Sequence, residues 1–493
     1  MKRKPNIVFI LTDDQGAWAM GCAGNRDVKT PNLDRLAAEG VRFDEFYCAS
    51  PVCSPARASL VTGKMPSCHG VQDWIERGNV DAYKFPHMSA LDGFDMSDRA
   101  IDYLAGHRTY MEVLAESGYT CALSGKWHLG DNAAKKKGFD KWYTIGRGGC
   151  SYYHPDICDE GDMSIGQGYI TDLITERSLR YIDELSGSEK PFYLSVHYTA
   201  PHSPWEAQEH PEEYRQLYAD CEFTGTPDLP IHPNQIRTCP IGDTKEKRRE
   251  NLTGYYAAIS SMDAGVGKIL DKLKEKELAD DTIVIFTADN GMNMGHHGIW
   301  GKGNGTYPPN MYDSSVKVPL IIRIPDMGEG EKGMVCHNMA SQYDIFPTIL
   351  ELAGCEWIPE PMQPGKSMVP MIREPGAAAR ESVVVYDEYG KTRMIKKGKY
   401  KLVYRYGGEP CEFYDMASDP DEEKNLYGDE AYASVISLMK EELESWFKQY
   451  TVEEMDARKF DVRGRGQDNL CGEKDAFNTQ IEYYYKERGE QYK

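Results

Sequence analysis

Short apolar runs bounded by turn-forming residues alternate, along the first three quarters of the chain, with stretches whose apolar positions recur at helical spacing. Residues 6–12 are β-branched and apolar between Pro5 and the pair Asp13-Asp14, which predicts a buried strand with two carboxylates at its C-terminal end. Thr30 to Gly40 sets out an N-cap, a proline in the first turn, apolar helical spacing and a terminating glycine, so a helix is expected there. The alternation continues with a helix at 109–117, strands at 120–123 and 192–198, a long helix around 252–278, and strands at 282–287 and 318–324. Strands alternating with helices predict an α/β fold with a large, mainly parallel sheet covered on both faces.

The pattern changes near residue 375. Pro, Gly and an Ala run between Pro370 and Arg380 precede strand-like segments at 382–389, 392–396 and 401–406, with Lys397-Gly398 as the expected turn between the last two. A helix at 432–450 carries Val435, Ile436, Met439, Leu443 and Trp446 at helical spacing and is expected to pack on this antiparallel sheet. Two domains follow: a large α/β body over 1–375 and a smaller α+β subdomain over 376–493. The tail after Thr451 is charged, rich in Tyr and without a period, and adds nothing to the functional reading.

Composition narrows the function classes. The 493 residues, 40% hydrophobic and 27% charged, describe a globular chain, and no apolar run approaches the length of a membrane span. A formal charge of −21 argues against a nucleic-acid partner and obliges any anionic substrate to find a locally positive pocket. The basic start leads into an apolar stretch too short for a signal peptide, and the thirteen cysteines have no disulfide-framework spacing, so the encoded chain reads as cytoplasmic.

Candidate chemistry gathers where elements end, which in an open parallel sheet is where ligands bind. Asp13-Asp14 and Asp289-Asn290 each follow a predicted strand; either pair alone reads as an ordinary turn. Together they supply four oxygen-bearing side chains, a set suited to calcium or magnesium rather than zinc. In Ser50-Pro-Val-Cys53-Ser-Pro-Ala-Arg57, Ser54 as N-cap and Pro55 are expected to open a helix directly after Cys53, with Arg57 one turn inside. Backbone N–H groups and a guanidinium beside one reactive side chain suit a tetrahedral oxyanion.

Cys53-x-Pro55-x-Arg57 resembles the signature of the type I, formylglycine-dependent sulfatases of the alkaline phosphatase-like superfamily. Gly125-Lys126-Trp127-His128-Leu129-Gly130, Ala200-Pro201-His202-Ser203-Pro204, Asp289-Asn290-Gly291 and Trp300-Gly301-Lys302-Gly303 resemble the later motifs of that family in the same order. The resemblance implies hydrolysis of a sulfate ester, favouring an O-sulfated carbohydrate, through a covalent sulfate adduct of formylglycine made from Cys53 by a maturation enzyme. It implies one divalent cation, calcium before magnesium, with Asp13, Asp14, Asp289, Asn290 and the modified Cys53 as its ligand set. Arg57 would fix the modified residue, and Lys126 and Lys302 would contact sulfate. His202 is the candidate acid, with Lys302 able to share that task, and His128 the candidate base, two roles that could be exchanged.

Gln15 reads equally as a turn former or a neighbour of the metal, and His296 and His297 as supports of the Lys302 loop. Trp74, His69, His107 and Trp205 read equally as pocket lining or packing. Phosphonate or phosphate ester hydrolysis on the same pocket, and sulfated-glycan binding without catalysis, are the alternatives. A two-zinc phosphatase would want further His ligands and a Ser or Thr nucleophile.

Overall fold

The computed structural model describes residues 4–374, 376–377, 380–387 and 391–478. The strand Asn6–Thr12 is buried along its whole length because both of its faces are covered. Ile7, Phe9 and Leu11 join one apolar core, while Val8 and Ile10 join another on the opposite side. This strand sits near the middle of a ten-stranded sheet. In spatial order the strands are Met334–Cys336, Val41–Phe43, Leu320–Arg323, Thr282–Ala288, Asn6–Thr12, Phe192–His197, Thr120–Gly125, Lys141–Ile145, Asp156–Asp159 and Asp162–Ile165.

The five strands from Thr282–Ala288 to Lys141–Ile145 run parallel. Leu320–Arg323 is antiparallel to both neighbours, and the 156–165 hairpin closes one edge, so the sheet is mixed but mainly parallel. Helices Cys53–Thr62, Tyr110–Glu116 and Ile345–Leu352 supply residues to the first core; Pro31–Glu39, Ile170–Ser186 and Lys245–Glu275 supply the second. Thr109 caps the helix Tyr110–Glu116 in a reciprocal capping box with Glu112. The alkaline phosphatase-like architecture expected from the motifs is therefore present.

Beyond this body, strands Ser382–Asp387, Thr392–Lys397, Tyr400–Arg405 and Glu412–Asp415 form an antiparallel sheet in chain order. Lys397 pairs with Tyr400, so the turn is Gly398-Lys399 rather than Lys397-Gly398, and Gly398 takes the left-handed φ of 54° that such a turn favours. Val384, Tyr386, Ile395 and Leu402 pack against Ile436, Met439, Leu443 and Phe447 of the helix Ala433–Tyr450. From the other face Val383, Val385, Met394 and Val403 enter the core of the large body. Residue 375, the expected boundary, and the tail from 479 onward lie outside the described residues. No helix among the described residues is long and apolar enough to cross a membrane.

Candidate active site

Asp13 and Asp14 leave the C-terminal end of their strand, and Asp289 and Asn290 leave the adjacent Thr282–Ala288 strand at the same end. Oxygen atoms of Asp13, Asp14 and Asp289 lie within 4.8 Å of one another, and all three residues are buried. Asp14 takes a φ of 63°, and its amide N–H donates to Asp289 Oδ1 at 3.1 Å. Asn290 Nδ2 donates to Asp14 Oδ1 at 2.8 Å. Asn290 Oδ1 and Asp13 Oδ1, both buried, have no hydrogen-bond partner. Gln342 braces the strand end from behind, its amide donating to the carbonyls of Ala288 and Asp289.

Cys53 is the first residue of the helix Cys53–Thr62, with Val52 at the N-cap. The expected Ser54 cap does not form, because the Ser54 hydroxyl accepts from the Ile75 N–H at 3.1 Å and ties down the neighbouring segment. Arg57, one turn on, donates from Nε to Asp289 Oδ2 at 2.8 Å and from Nη1 to the Lys126 carbonyl at 2.8 Å. His197, at the end of its strand, bonds that same carbonyl. The ammonium of Lys126 meets Asp13 Oδ2 at 2.5 Å, and that of Lys302 meets Asp14 Oδ1 at 2.6 Å.

Three carboxylates thus face three side-chain cations. Burial pushes the Asp13 and Asp14 carboxyls up, but Lys126 and His202 beside the first, and Lys302 and His202 beside the second, leave both below the ordinary range. Asp289 is held above it, by burial and then by Asp13. Burial also pushes the Cys53 thiol up, against the pull of Lys302 and Lys126, so an unmodified thiol here is a poor thiolate source. A bound divalent cation would leave the cluster with two positive charges in excess, which meets the requirement for a positive pocket in an acidic chain.

The two histidines differ. His128, at a φ of 57°, bonds the Ile75 carbonyl through Nε2 at 2.9 Å, which places its proton on Nε2. Its Nδ1 is buried and has no partner, and burial followed by Lys126 holds the ring well below its ordinary pKa, hence neutral. Gly148 lies so close that a Cβ there would stand 2.1 Å from His128 Nε2. His202 uses Nδ1 on the Ser203 carbonyl at 2.6 Å, and its Nε2 stands 3.7 Å from Asp14 Oδ2.

Asp14, Cys53, His128, His202 and Lys302 all line one cavity of 410 Å³. The candidate residues are therefore brought together, with Arg57 and Lys126 directly behind them. Of the four residues that read equally as lining or packing, Trp74 lines the cavity. His69 bonds Ser59, His107 bonds Lys64, and Trp205 packs on Tyr255. Gln15 bonds the Ala19 carbonyl in its own turn, while His296 and His297 pack on Trp18 and Tyr312. Arg147, Arg237 and Arg465 also line the cavity and were not predicted. Arg465 corrects the view of the tail, because the segment after Thr451 docks on the body through Gln467, whose side chain accepts from the Gln72 N–H and donates to the Gly70 carbonyl.

The sulfatase family model matches residues 5–355, and a model described as the C-terminal part of N-sulphoglucosamine sulphohydrolase matches 295–449. The chain belongs to the sulfatase family and is a sulfuric ester hydrolase. It is 27% identical to an N-acetylglucosamine-6-O-sulfatase of Bacteroides thetaiotaomicron, across 91% of this chain and 87% of that one. A solved structure in complex with its substrate D-glucosamine-2-N,6-O-disulfate superposes with a TM-score of 0.76 at 25% identity, covering 92% of this chain and 99% of the other. A phosphonate monoester hydrolase of Agrobacterium radiobacter, at 22% identity and a TM-score of 0.69, covers 92% of this chain and 97% of its own, and shares the fold.

Proposed function

We propose that this sulfatase cleaves an O-sulfated carbohydrate, using formylglycine made from Cys53 and one divalent cation, calcium before magnesium. The observation that carries the reading is the unfinished state of the acidic cluster. Asp13 Oδ1 and Asn290 Oδ1 are buried acceptors with no hydrogen-bond partner, next to two further carboxylates, and this all-oxygen donor set suits a hard cation. Asp13, Asp14, Asp289 and Asn290, with the modified Cys53, would hold the cation, which supplies Lewis-acid polarisation of a sulfate oxygen. Hydrated formylglycine supplies one hydroxyl to attack sulfur and a second through which the aldehyde is regenerated.

The remaining steps belong to the side chains. Arg57, clamped between Asp289 and the Lys126 carbonyl, orients the residue at position 53. Lys126 and Lys302 bind the sulfate oxygens. His202 Nε2 protonates the departing alcohol, since its Nδ1 is committed to Ser203, and Lys302 can share that task. His128 is neutral with its lone pair on Nδ1, the state required of the base that takes the second hydroxyl's proton. The carbohydrate class rests on the glucosamine derivatives named for the relatives above. A formylglycine-generating maturation enzyme is the partner this reading requires, and all thirteen cysteines are free, which supports a cytoplasmic setting.

Turnover of matched aryl sulfate, phosphate and phosphonate esters tests the proposal, before and after chelation and calcium return. Sulfate preference that needs the cation and vanishes in Cys53→Ala is the expected result. A preference for phosphonate would reassign the chain within its superfamily. Sulfated-saccharide binding without turnover would leave a binding role.

A further inference from the structure

We infer that the mouth of the catalytic cavity is a second anion subsite, formed by Arg147, Arg237 and Arg465, so that the substrate is a saccharide bearing a second sulfate or a carboxylate beside the sulfate that is cleaved. The inference rests on the carbohydrate reading above and deepens it.

The cavity is graded in depth. Cys53, Asp14, His128 and Lys302 at its base are buried, whereas Arg147 and Arg465 are half-buried and Arg237 is exposed. The sulfate to be cleaved already has Lys126 and Lys302 at the base, so the outer guanidiniums are surplus to it. In a chain of net charge −21, this outer wall carries three guanidiniums, of which Arg147 is balanced by Asp156 and Arg465 faces Glu76, so that Arg237 leaves it with a positive charge in excess.

Their supports also differ from those of ordinary surface arginines. Arg147 is held by Asp156, a fully buried carboxylate, at 3.0 Å and by the Gly93 carbonyl at 2.7 Å. Arg465 is brought in by the C-terminal segment that Gln467 pins to the body, and its neighbour Gly464 accepts from Trp74 Nε1 at 3.2 Å, placing an indole on the same wall. Arg237 has no ion-pair partner among the described residues. Guanidiniums in a preset wall bind carboxylates and sulfates through paired N–H donors.

Calorimetric binding to the Cys53→Ala protein, which lacks the side chain from which formylglycine is made, tests this with three probes. These are a hexosamine 6-sulfate, a hexosamine N,6-disulfate, and a 6-sulfated hexosamine linked to a hexuronate. One or both dianions should bind about tenfold or more tightly than the monoanion, and the better of the two identifies the second group as sulfate or carboxylate. Arg237→Gln and Arg465→Gln should each reduce that ratio several-fold, as should raised salt. Arg237 is exposed, so its substitution reads the subsite even if Arg465→Gln loosens the C-terminal segment. Equal affinity for all three probes, or a ratio that survives both substitutions, overturns the subsite alone. No saccharide binding by a protein whose parent still cleaves aryl sulfate overturns the carbohydrate reading together with the subsite.

Discussion

At the base of the cavity Asp13, Asp14 and Asp289 face Arg57, Lys126 and Lys302; between the C-terminal sheet and the large body Glu45, Asp313 and Glu422 face Lys317, Lys396 and Lys401. The two clusters have equal numbers of each charge, yet they are finished differently. In the second, Lys401 bonds Asp313 at 2.9 Å and Glu422 at 2.5 Å, and Glu45 accepts from Lys317 at 2.8 Å, from Lys396 at 2.5 Å and from Tyr47 at 2.7 Å. None of its buried side-chain atoms lacks a partner. In the first, Asp13 Oδ1, Asn290 Oδ1 and His128 Nδ1 are left without one. An unpartnered buried polar atom costs about 1–3 kcal/mol, so the structural cluster is closed and the active-site cluster is built to be completed by what binds there.

Breaking the two clusters should therefore have opposite signatures. Asp13→Asn or Asp289→Asn is expected to lower turnover about 10³-fold or more by removing cation-assisted stabilisation worth several kcal/mol. The rise in Tm on adding calcium should disappear with it, which differential scanning fluorimetry checks. Lys401→Met removes one partner of the closed cluster and is expected to cost about 3–5 kcal/mol in denaturant unfolding, while kcat per folded molecule holds. Gly148→Ala should cost about 100-fold in kcat/KM by displacing His128, with little change in Tm, because the loss is one of position.

The smallest effect sharpens the comparison through pH. Burial, against the pull of Lys401, raises the Glu422 carboxyl from its ordinary 4.5 to about 7. A raised folded-state pKa gives stability that is present at low pH and lost as pH rises towards 7, by about 1 kcal/mol per pH unit between the two values. Unfolding of Glu422→Gln across pH 5–7 should lack that slope, and an unchanged slope would assign it to other groups.

The residues of the candidate site could be picked out in the sequence because each stands in a short contiguous motif. Asp13-Asp14 and Asp289-Asn290 are two residues each, but that their strands lie side by side is seen only in the pairing of 6–12 with 282–288. Less was legible wherever tertiary contact decides. Leu320–Arg323 reads as an apolar strand whichever way it runs, and only pairing with Thr282–Ala288 shows it to be antiparallel. Ser54 has the chemistry of an N-cap, but the Ile75 amide claims its hydroxyl. Arg465 sits in an aperiodic tail, and Arg147 and Arg237 in segments with no motif, so nothing local marks them as one wall. Their meeting depends on contacts such as Gln467 with Gly70 across nearly 400 residues.

The most direct test of the central claim is the mass of the Cys53 peptide from active protein purified from its native host. Formylglycine at position 53, in proportion to specific activity across preparations, is the expected result. Full sulfatase activity from protein whose Cys53 is an unmodified thiol would contradict the account.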